Sequence, residues 1–212
     1  MCRFAHALDL LGERWALLVV RELLLGPKRF TDLRAGLPKA SPNVLSERLR
    51  ELEAAGVLRR RTLPPPAGSR VYELTEWGME LEPIVTRLGA WGARSPLPPP
   101  EATIGSDSIV LALGSLFDPE AAAGLSAAYE LRLGEERYSV EVANGEIELL
   151  RGAPEATELA IEADPATLGA VLAGGLSLAD ARRSGDFMIE GDAAAAERFL
   201  ALFPMPEPAP AP

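Results

Sequence analysis

Basic side chains are concentrated in the first part of the 212-residue chain, and this concentration points to contact with phosphate groups. Residues 1–95 carry 15 basic and 11 acidic side chains, a balance of +4, whereas residues 96–212 carry 6 and 20, a balance of −14. Cations that reach across a groove edge neutralise phosphate oxygens and release counterions. The relevant side chains stand beside predicted turns and on one predicted strand: Lys28, Arg29, Lys39, Arg59, Arg60, Arg61 and Arg70.

Cys2 and His6 are the only thiol and the only imidazole of the chain. One cysteine excludes an internal disulfide and agrees with a reducing cytoplasm. So few histidines and cysteines exclude most catalytic triads and metal sites, and the glycine-rich phosphate loop and the dinucleotide fingerprint are both missing. We therefore expect no enzyme activity, no cofactor and no metal. Arg3, next to Cys2, and His6, one helical turn away, would both favour the thiolate form of this cysteine.

Short helices around a brief turn would position part of these cations. The apolar run 15–25 predicts a buried helix, and residues 30–37 carry apolar side chains at helical spacing. Ser41 and Pro42 have the residue types favoured at an N-cap and at the first helical position, so a further helix is predicted over 42–55. The second and third of these helices form a helix-turn-helix pattern.

The predicted helix over 42–55 has two chemically different faces. Leu45, Leu49 and Leu52 fall on one stripe and predict a core face. Its other side and flank carry a mixed polar set: Asn43, Ser46, Glu47 and Arg50. Such donors and acceptors suit the base edges of a DNA major groove. For this helix taken alone, an ordinary solvated face is the alternative.

A hairpin follows this helix. Residues 57–62 and 71–75 are predicted strands joined by a loop rich in proline and glycine, with Arg70 near the tip of the resulting wing. Since the rest of the chain is acidic, these arginines favour phosphate contact over an ordinary surface. The predicted DNA-binding residues are Lys28, Arg29, Lys39, Ser41, Asn43, Ser46, Glu47, Arg48, Arg50, Arg60 and Arg70.

A dense motif runs through residues 2–92. Its positions are Cys2, Trp15 with Leu18, Leu23-x2-Gly26-x2-Arg29-Phe30-x2-Leu33, Ser41-x3-Leu45-Ser46-x-Arg48-Leu49-x2-Leu52-x3-Gly56 and Val71-Tyr72-x-Leu74-Thr75-x2-Gly78. This part of the chain resembles the HxlR-type winged-helix transcriptional regulators of bacteria. The resemblance implies a homodimer on double-stranded DNA, with one recognition helix on each half-site of a pseudo-palindromic operator. It also implies dimerisation through a terminal helix, here 76–93; the alternative is that the apolar stripe of this helix packs inside its own domain.

In several relatives of this family, a cysteine at the position of Cys2 senses oxidants or electrophiles. The family usually has proline after this cysteine, whereas this chain has Arg3. The resemblance therefore makes Cys2 a candidate sensor while leaving the incidental thiol as the alternative.

The second part of the chain has a different pattern. From residue 126 onward, apolar and acidic side chains alternate, and Asn144-Gly145 is a two-residue hairpin signal between two such runs. Further strands are predicted over 108–113 and 186–190. Helices are predicted after capping residues, over 120–125, 166–172, 178–184 and 193–203. The expected fold is α+β, with a mostly antiparallel sheet that helices cover on one face.

Residues 106–203 also resemble a known family. The positions that carry the resemblance are Leu172-x-Gly174-x-Leu176-Ser177-Leu178-x5-Ser184-Gly185 and Ile189-Glu190-Gly191-Asp192. They are similar to sterol carrier protein-like domains, which implies an apolar ligand, such as a fatty acyl chain or a sterol, between sheet and helices. A purely structural domain is the alternative. The predicted ligand-binding residues are Leu111, Leu113, Phe117, Tyr129, Leu131, Val140, Leu149, Ile161, Leu168, Leu172, Leu176, Phe187 and Phe199.

The predicted fold class is thus a mainly α winged helix-turn-helix domain over 1–95, then the α+β sterol carrier protein-like domain over 106–203. A proline-rich linker over 96–105 separates them, and a disordered tail is expected over 204–212. No apolar run approaches the roughly 18 residues that span a bilayer, and the first residues lack a signal-peptide pattern. We therefore expect a cytoplasmic protein without a membrane partner.

Three hypotheses of function follow. The first is a homodimeric DNA-binding regulator whose operator binding responds to an apolar ligand. The second is an apolar-ligand carrier with a vestigial DNA-binding module, and the third is a thiol-based sensor acting through Cys2. The basic wing and the polar helix face favour the first over the second.

Overall fold

The structure, a computed structural model, describes residues 2–65, 68–96 and 105–210. The chain divides into two compact units, residues 1–85 and 86–212. The predicted linker over 96–105 lies almost wholly outside the described residues. Each unit has its own core and is considered by itself.

The first unit consists of helices followed by a two-stranded hairpin. Its elements are α1 (Arg3–Leu11), α2 (Ala16–Leu24), α3 (Phe30–Gly36), α4 (Pro42–Ala54), β1 (Leu58–Thr62), β2 (Arg70–Leu74), α5 (Glu76–Met79) and the start of α6 (Glu82–Ala93). Ser41 caps α4 as predicted, because its Oγ accepts the Val44 N–H at 3.3 Å. Leu45, Leu49 and Leu52 of α4 are buried in the core of this unit.

The hairpin is antiparallel, with Arg60 opposite Tyr72 in its register. Backbone packs directly on backbone at its base, since a Cβ added to Gly78 would lie 2.0 Å from the Val57 carbonyl oxygen. The single helix predicted over 76–93 is wrong in one respect: turns at Glu80 and Leu81 divide it into α5 and α6.

The second unit holds a five-stranded sheet and its covering helices. Its elements are α7 (Ser106–Leu116), β3 (Ala127–Leu133), β4 (Glu136–Ala143), β5 (Glu146–Arg151), β6 (Leu159–Ala163), α8 (Pro165–Leu172), α9 (Leu178–Ser184), β7 (Phe187–Gly191) and α10 (Ala193–Ala201). The strand order is β5-β4-β3-β6-β7. The pairing of β3 with β6 is parallel and the others are antiparallel, so the sheet is mixed.

Two predictions of secondary structure in this unit are wrong. Residues 108–113 lie inside helix α7, because Ile109, Val110 and Leu113 are spaced to bury one helical face. Residues 119–124 form consecutive turns that end with Gly124 at a φ of +74°, so the helix predicted over 120–125 does not form. The short apolar run of α7 fits either type of element when read alone.

Aromatic side chains fill the space between the sheet and α10. Phe199 contacts both Tyr129 and Phe203 edge to face, with ring centroids 5.0 Å apart in each case. All three side chains are buried. Among the described residues, no helix is long and apolar enough to cross a bilayer.

Candidate nucleic-acid interface

Helix α4 presents the polar face that its sequence predicts. Asn43, Glu47 and Arg50 are exposed, whereas Ser46 is half-buried. The Arg50 Nε–H donates to the Ser46 carbonyl oxygen at 3.3 Å, which turns the guanidinium along the helix. The exposed residues thus offer an amide, a carboxylate and a guanidinium to a ligand.

Arg48 occupies a different environment on the same helix. Only 13% of its side chain is exposed, and it forms ion pairs with Glu51 and, at 3.9 Å, with Glu47. Arg48 therefore pairs with carboxylates of α4 itself and does not belong to the exposed polar set of Asn43, Glu47 and Arg50.

Lys28 is also engaged internally. Its Nζ lies 2.5 Å from the Glu22 carboxylate, which also receives Arg21 Nη2 at 2.6 Å. Glu22 belongs to α2 and is 2% exposed. Gly36 makes room for it, since a Cβ there would collide with the carboxylate. A buried anion thus fixes Lys28 just before α3.

Arg29, Lys39 and Ser41 are exposed around the helix-turn-helix. The Arg29 backbone N–H donates to Asp32 Oδ2 at 3.0 Å and so begins α3. A groove of about 800 Å³ lies between α3 and the start of α4. It is lined by Thr31, Arg34, Ala35, Pro38, Lys39, Ala40, Ser41 and Pro42. Sequence reasoning missed Arg34; its position on the exposed side of α3 was the available signal.

The wing arginines are held by carboxylates. Arg60 of β1 makes contacts of 2.9 and 2.6 Å with the two oxygens of Glu53 on α4. Arg59 and Arg61 both bond to Glu73 of β2. Arg70 is exposed at the start of β2. The sequence analysis assigned no role to Glu53 or Glu73. The available signal for Glu73 was the spacing of Arg59 and Arg61, which lie two residues apart on β1 and so share the face of the hairpin that Glu73 occupies on β2.

The same contacts shift the acidities of these carboxyl groups. The hydrogen bond from Arg60 lowers the pKa of Glu53 below its ordinary value. Burial raises the pKa of Glu73, but the hydrogen bonds from Arg59 and Arg61 outweigh it, so that the net shift is downward. Both carboxylates are therefore ionised at neutral pH, and each ion pair is complete.

Two helices expose apolar side chains. On α1, Phe4 and Leu8 are largely exposed. On α6, Ile84 and Leu88 are about half exposed, and Trp91 is 75% exposed. Leu81 and Val85 on the same stretch pack against the first unit's core.

Cys2 lies at the N-cap of α1 and is exposed. The backbone N–H groups of Ala5 and Phe4 lower the pKa of its thiol below the ordinary value. The thiolate is thereby favoured at the start of an exposed helix.

The predicted ligand-binding residues of the second unit lie on the helix-covered side of the sheet and in its helices, except Phe117 and Leu176, which lie in connecting segments. Eight are buried, and Leu111, Phe117, Leu149, Leu172 and Leu176 are partly exposed. A cavity of about 380 Å³ lies elsewhere, at the end of the sheet where β3 begins and β4 ends. It is lined by Ser126, Ala127, Ala128, Glu141, Val142, Ala143, Ala156, Thr157 and Glu158. The structure thus does not bring the predicted residues to this cavity.

Residues 10–97 match the family of HxlR-like helix-turn-helix domains. An uncharacterised helix-turn-helix regulator of Bacillus subtilis, YvaP, is 45% identical over 92 residues, which cover 43% of this chain and 85% of that protein. The chain belongs to the HxlR-like helix-turn-helix family. The B. subtilis regulator YodB is also similar to this HxlR-type chain, at 38% identity over 43% of this chain and 82% of YodB. A solved structure of reduced YodB is 36% identical over 47% of this chain and 98% of that one, with a TM-score of 0.41.

The second half of this HxlR-type protein has its own match. Residues 104–209 match the family described as alkyl sulfatase C-terminal. The C-terminal domain is thus an alkyl sulfatase C-terminal domain, and its predicted likeness to sterol carrier proteins stays a prediction.

The relatives also bear on the class of activity. They are named as transcriptional regulators, which are not enzymes, and this confirms the expectation that the HxlR-type chain is not an enzyme. Within residues 2–65, 68–96 and 105–210, no cluster of three or more His, Cys, Asp or Glu side chains is arranged to hold a metal ion.

Proposed function

We propose that this HxlR-type regulator binds a pseudo-palindromic operator as a homodimer and that α4 is the recognition helix. The observation that carries the proposal is that the exposed polar face of α4 lies beside the arginines of the wing. The ion pair between Glu53 of α4 and Arg60 of β1 connects this helix to the wing. A helix offering mixed donors and acceptors suits the major groove, and flanking cations suit the phosphates.

The residues divide into two roles. We propose that Asn43, Glu47 and Arg50, with Ser46 at their flank, contact base edges. Phosphates are contacted by the exposed cations and by the N-cap of α4, which are Arg29, Arg34, Lys39, Ser41, Arg60 and Arg70. Lys28 and Arg48 act indirectly, because their charges already pair with Glu22 and Glu51.

A second copy of the chain covers the apolar face of α6 in this proposal. Ile84, Leu88 and Trp91 lie on one helix and are exposed, which is unusual for side chains of this size in an isolated subunit. The predicted alternative, packing inside its own domain, accounts for Leu81 and Val85 but leaves these three uncovered. Two recognition helices would then meet half-sites about one helical turn, roughly 10 bp, apart.

The C-terminal domain is proposed to take an apolar ligand that alters operator binding. The support is the apolar packing of its sheet and helices, where the partly exposed Phe117 ring lies 6.3 Å, centroid to centroid, from the buried Phe203 ring. Leu172 of α8 is partly exposed as well. A ligand needs to favour one dimer geometry by only about 1.4 kcal/mol to change DNA affinity tenfold.

The test begins with selection of duplexes from a randomised library by the full-length protein. We expect an inverted repeat whose binding weakens steeply with salt. Native mass spectrometry of the purified protein then looks for a co-purified apolar molecule, which is removed and added back during titration of the selected duplex. Transfer of a fluorescent fatty acid between vesicles, with weak and unselective DNA binding, would instead identify the protein as a carrier.

Cys2 supports a second candidate function, a thiol-based sensor. The supporting observation is its exposure together with the lowered pKa of its thiol. N-ethylmaleimide serves as the electrophile in the test: the sulfur adds to one carbon of the double bond and the thiol proton passes to the other. A sensor loses operator binding on this treatment and Cys2→Ser keeps it, whereas an incidental thiol gives treated protein that binds as before.

A further inference from the structure

One buried carboxylate on the wing holds two arginines. Glu73 of β2 lies opposite Arg59 of β1, and its Oε1 accepts the Arg59 Nε–H at 2.7 Å. Its second oxygen, Oε2, accepts the Arg61 Nε–H. Each carboxylate oxygen therefore serves one arginine, while Glu73 itself is 8% exposed. The anion is fixed by the hairpin, and the two guanidinium groups are fixed by the anion.

The arginines remain accessible on their outer sides. The side chain of Arg59 is 67% exposed and that of Arg61 is 45% exposed. The bonds to Glu73 use the Nε–H groups, and the terminal nitrogens of a guanidinium carry four further donors. Two cations share one anion, so the cluster keeps one net positive charge. This is a pair of ordered donors with charge left over for an anionic ligand.

We propose that Glu73 is a positioning residue for DNA binding, holding Arg59 and Arg61 in place for neighbouring phosphates of the operator backbone. The inference rests on the proposed function, because it takes the wing to face DNA. A long side chain that is already ordered before binding loses less conformational entropy when it contacts its ligand. A carboxylate beside a phosphate site repels the phosphate. We infer that the fixed positions of the Arg59 and Arg61 guanidinium groups outweigh this repulsion.

The proposed role of Glu73 depends on where its two carboxylate oxygens lie, whereas an ordinary surface carboxylate contributes only its charge. A glutamine at 73 offers one carbonyl oxygen and one NH₂ group, so it accepts from one arginine and turns a donor toward the other. The negative charge disappears at the same time. Nonspecific attraction to DNA should therefore rise while the geometry of the arginine pair is lost. These two opposite effects distinguish positioning from a simple change of net charge.

The test compares full-length Glu73→Gln and Glu73→Asp with Glu80→Gln, which removes an exposed carboxylate from the nearby end of α5. Affinity is measured over a range of NaCl concentrations for a duplex selected by the wild-type protein and for a scrambled duplex of the same composition. Paired phosphate contacts fix the register and orientation in which a protein meets the bases, so a pair that is no longer held in place weakens the preference among sequences. We therefore expect Glu73→Gln to bind the scrambled duplex at least as tightly as wild type and to lose roughly tenfold in preference for the selected one. Glu73→Asp should recover part of the preference, and Glu80→Gln should shift both affinities alike.

Two results would overturn the inference while leaving DNA binding in place. One is that Glu73→Gln and Glu80→Gln change both duplexes by the same factor. The other is that Glu73→Gln weakens both duplexes equally and lowers the melting temperature, which would make Glu73 a structural residue only. A wild-type protein that selects no duplex at all would reject the proposed function itself.

Discussion

Arg151 on the edge strand β5 grips Asp107 in the first turn of α7, with Nη2 lying 2.5 and 2.6 Å from the two carboxylate oxygens. The Tyr138 hydroxyl of β4 donates to the same carboxylate, and Arg151 stacks on the Tyr138 ring. The pKa of Tyr138 lies far above its ordinary value, mainly because the phenol is buried and also because it donates a hydrogen bond to Asp107. The start of α7 is therefore tied to the sheet by a buried charge and a neutral phenol.

Arg151→Met should destabilise the protein strongly, because it leaves the Asp107 carboxylate buried without its cation. We expect the free energy of unfolding to fall by about 3 kcal/mol. Asp107→Asn leaves an arginine that can turn toward water, so a smaller loss of about 1–2 kcal/mol is expected. Urea unfolding measures both, with Arg183→Met, which breaks an exposed pair with Asp180, as a control expected to change little. Equal effects from Arg151→Met and the control would contradict the account.

Acid should weaken the second unit through Glu130. The hydrogen bond from Arg132 is the main cause that lowers its pKa, with further contributions from Arg137. A carboxyl group whose pKa is lowered on folding stabilises the protein above its unfolded pKa of about 4.3, and that stability is lost as pH falls through the folded pKa. The free energy of unfolding should therefore decrease from pH 5 toward pH 3, as measured by urea denaturation. Glu130→Gln should flatten this decrease, whereas exposed Glu135→Gln should not.

Replacement of DNA-facing residues should separate base contacts from phosphate contacts. Arg50→Ala should cost about 1–3 kcal/mol on the selected duplex and blur the preference at one position of the half-site. Arg70→Ala should weaken all sequences alike and reduce the salt slope by about one per protomer. Binding titrations at several NaCl concentrations report both quantities. Identical losses on selected and scrambled duplexes from both variants would contradict the division of roles.

Charge placed on α6 should dissociate the proposed homodimer. The double variant Leu88→Lys and Trp91→Lys puts two cations where exposed apolar side chains lie, and sedimentation should then show a monomer. Operator affinity should fall by about a hundredfold or more, because a monomer meets only one half-site. Glu82→Gln on the exposed start of α6 is the control, and it should stay dimeric. A monomeric wild-type protein would remove the basis of this prediction.

Local signals predicted much of the first unit. The Leu45, Leu49 and Leu52 stripe and the Ser41 cap are properties of neighbouring residues, so α4 was readable from the sequence. The ion pairs of Arg60 with Glu53 and of Lys28 with Glu22 depend on how distant segments meet, and composition alone placed those cations on the surface. The amphipathic start of the chain did not reveal the bounds of α1, which buries no side chain.

The second unit was harder to predict for a similar reason. Alternation over 126–162 identified the strands, but the parallel pairing of β3 with β6 depends on the whole arrangement of the sheet. Helix α7 was mistaken for a strand because its Ser108–Leu113 segment is short and almost continuously apolar. The cavity at the end of the sheet arises from small residues, such as Ala128 and Ala156, that no motif marks.

The missing side chain at Gly36 has a consequence for everything that α2 and α3 support. The Glu22 carboxylate occupies the space where a side chain at position 36 would begin, so this glycine lets α2 place its carboxylate directly against α3. A methyl group there would lie 2.2 Å from one carboxylate oxygen, so Glu22 would have to shift, and its contacts with Lys28 and Arg21 would change with it. The positions of the Lys28 and Arg21 charges thus depend on the small space that the absent side chain of Gly36 leaves for Glu22.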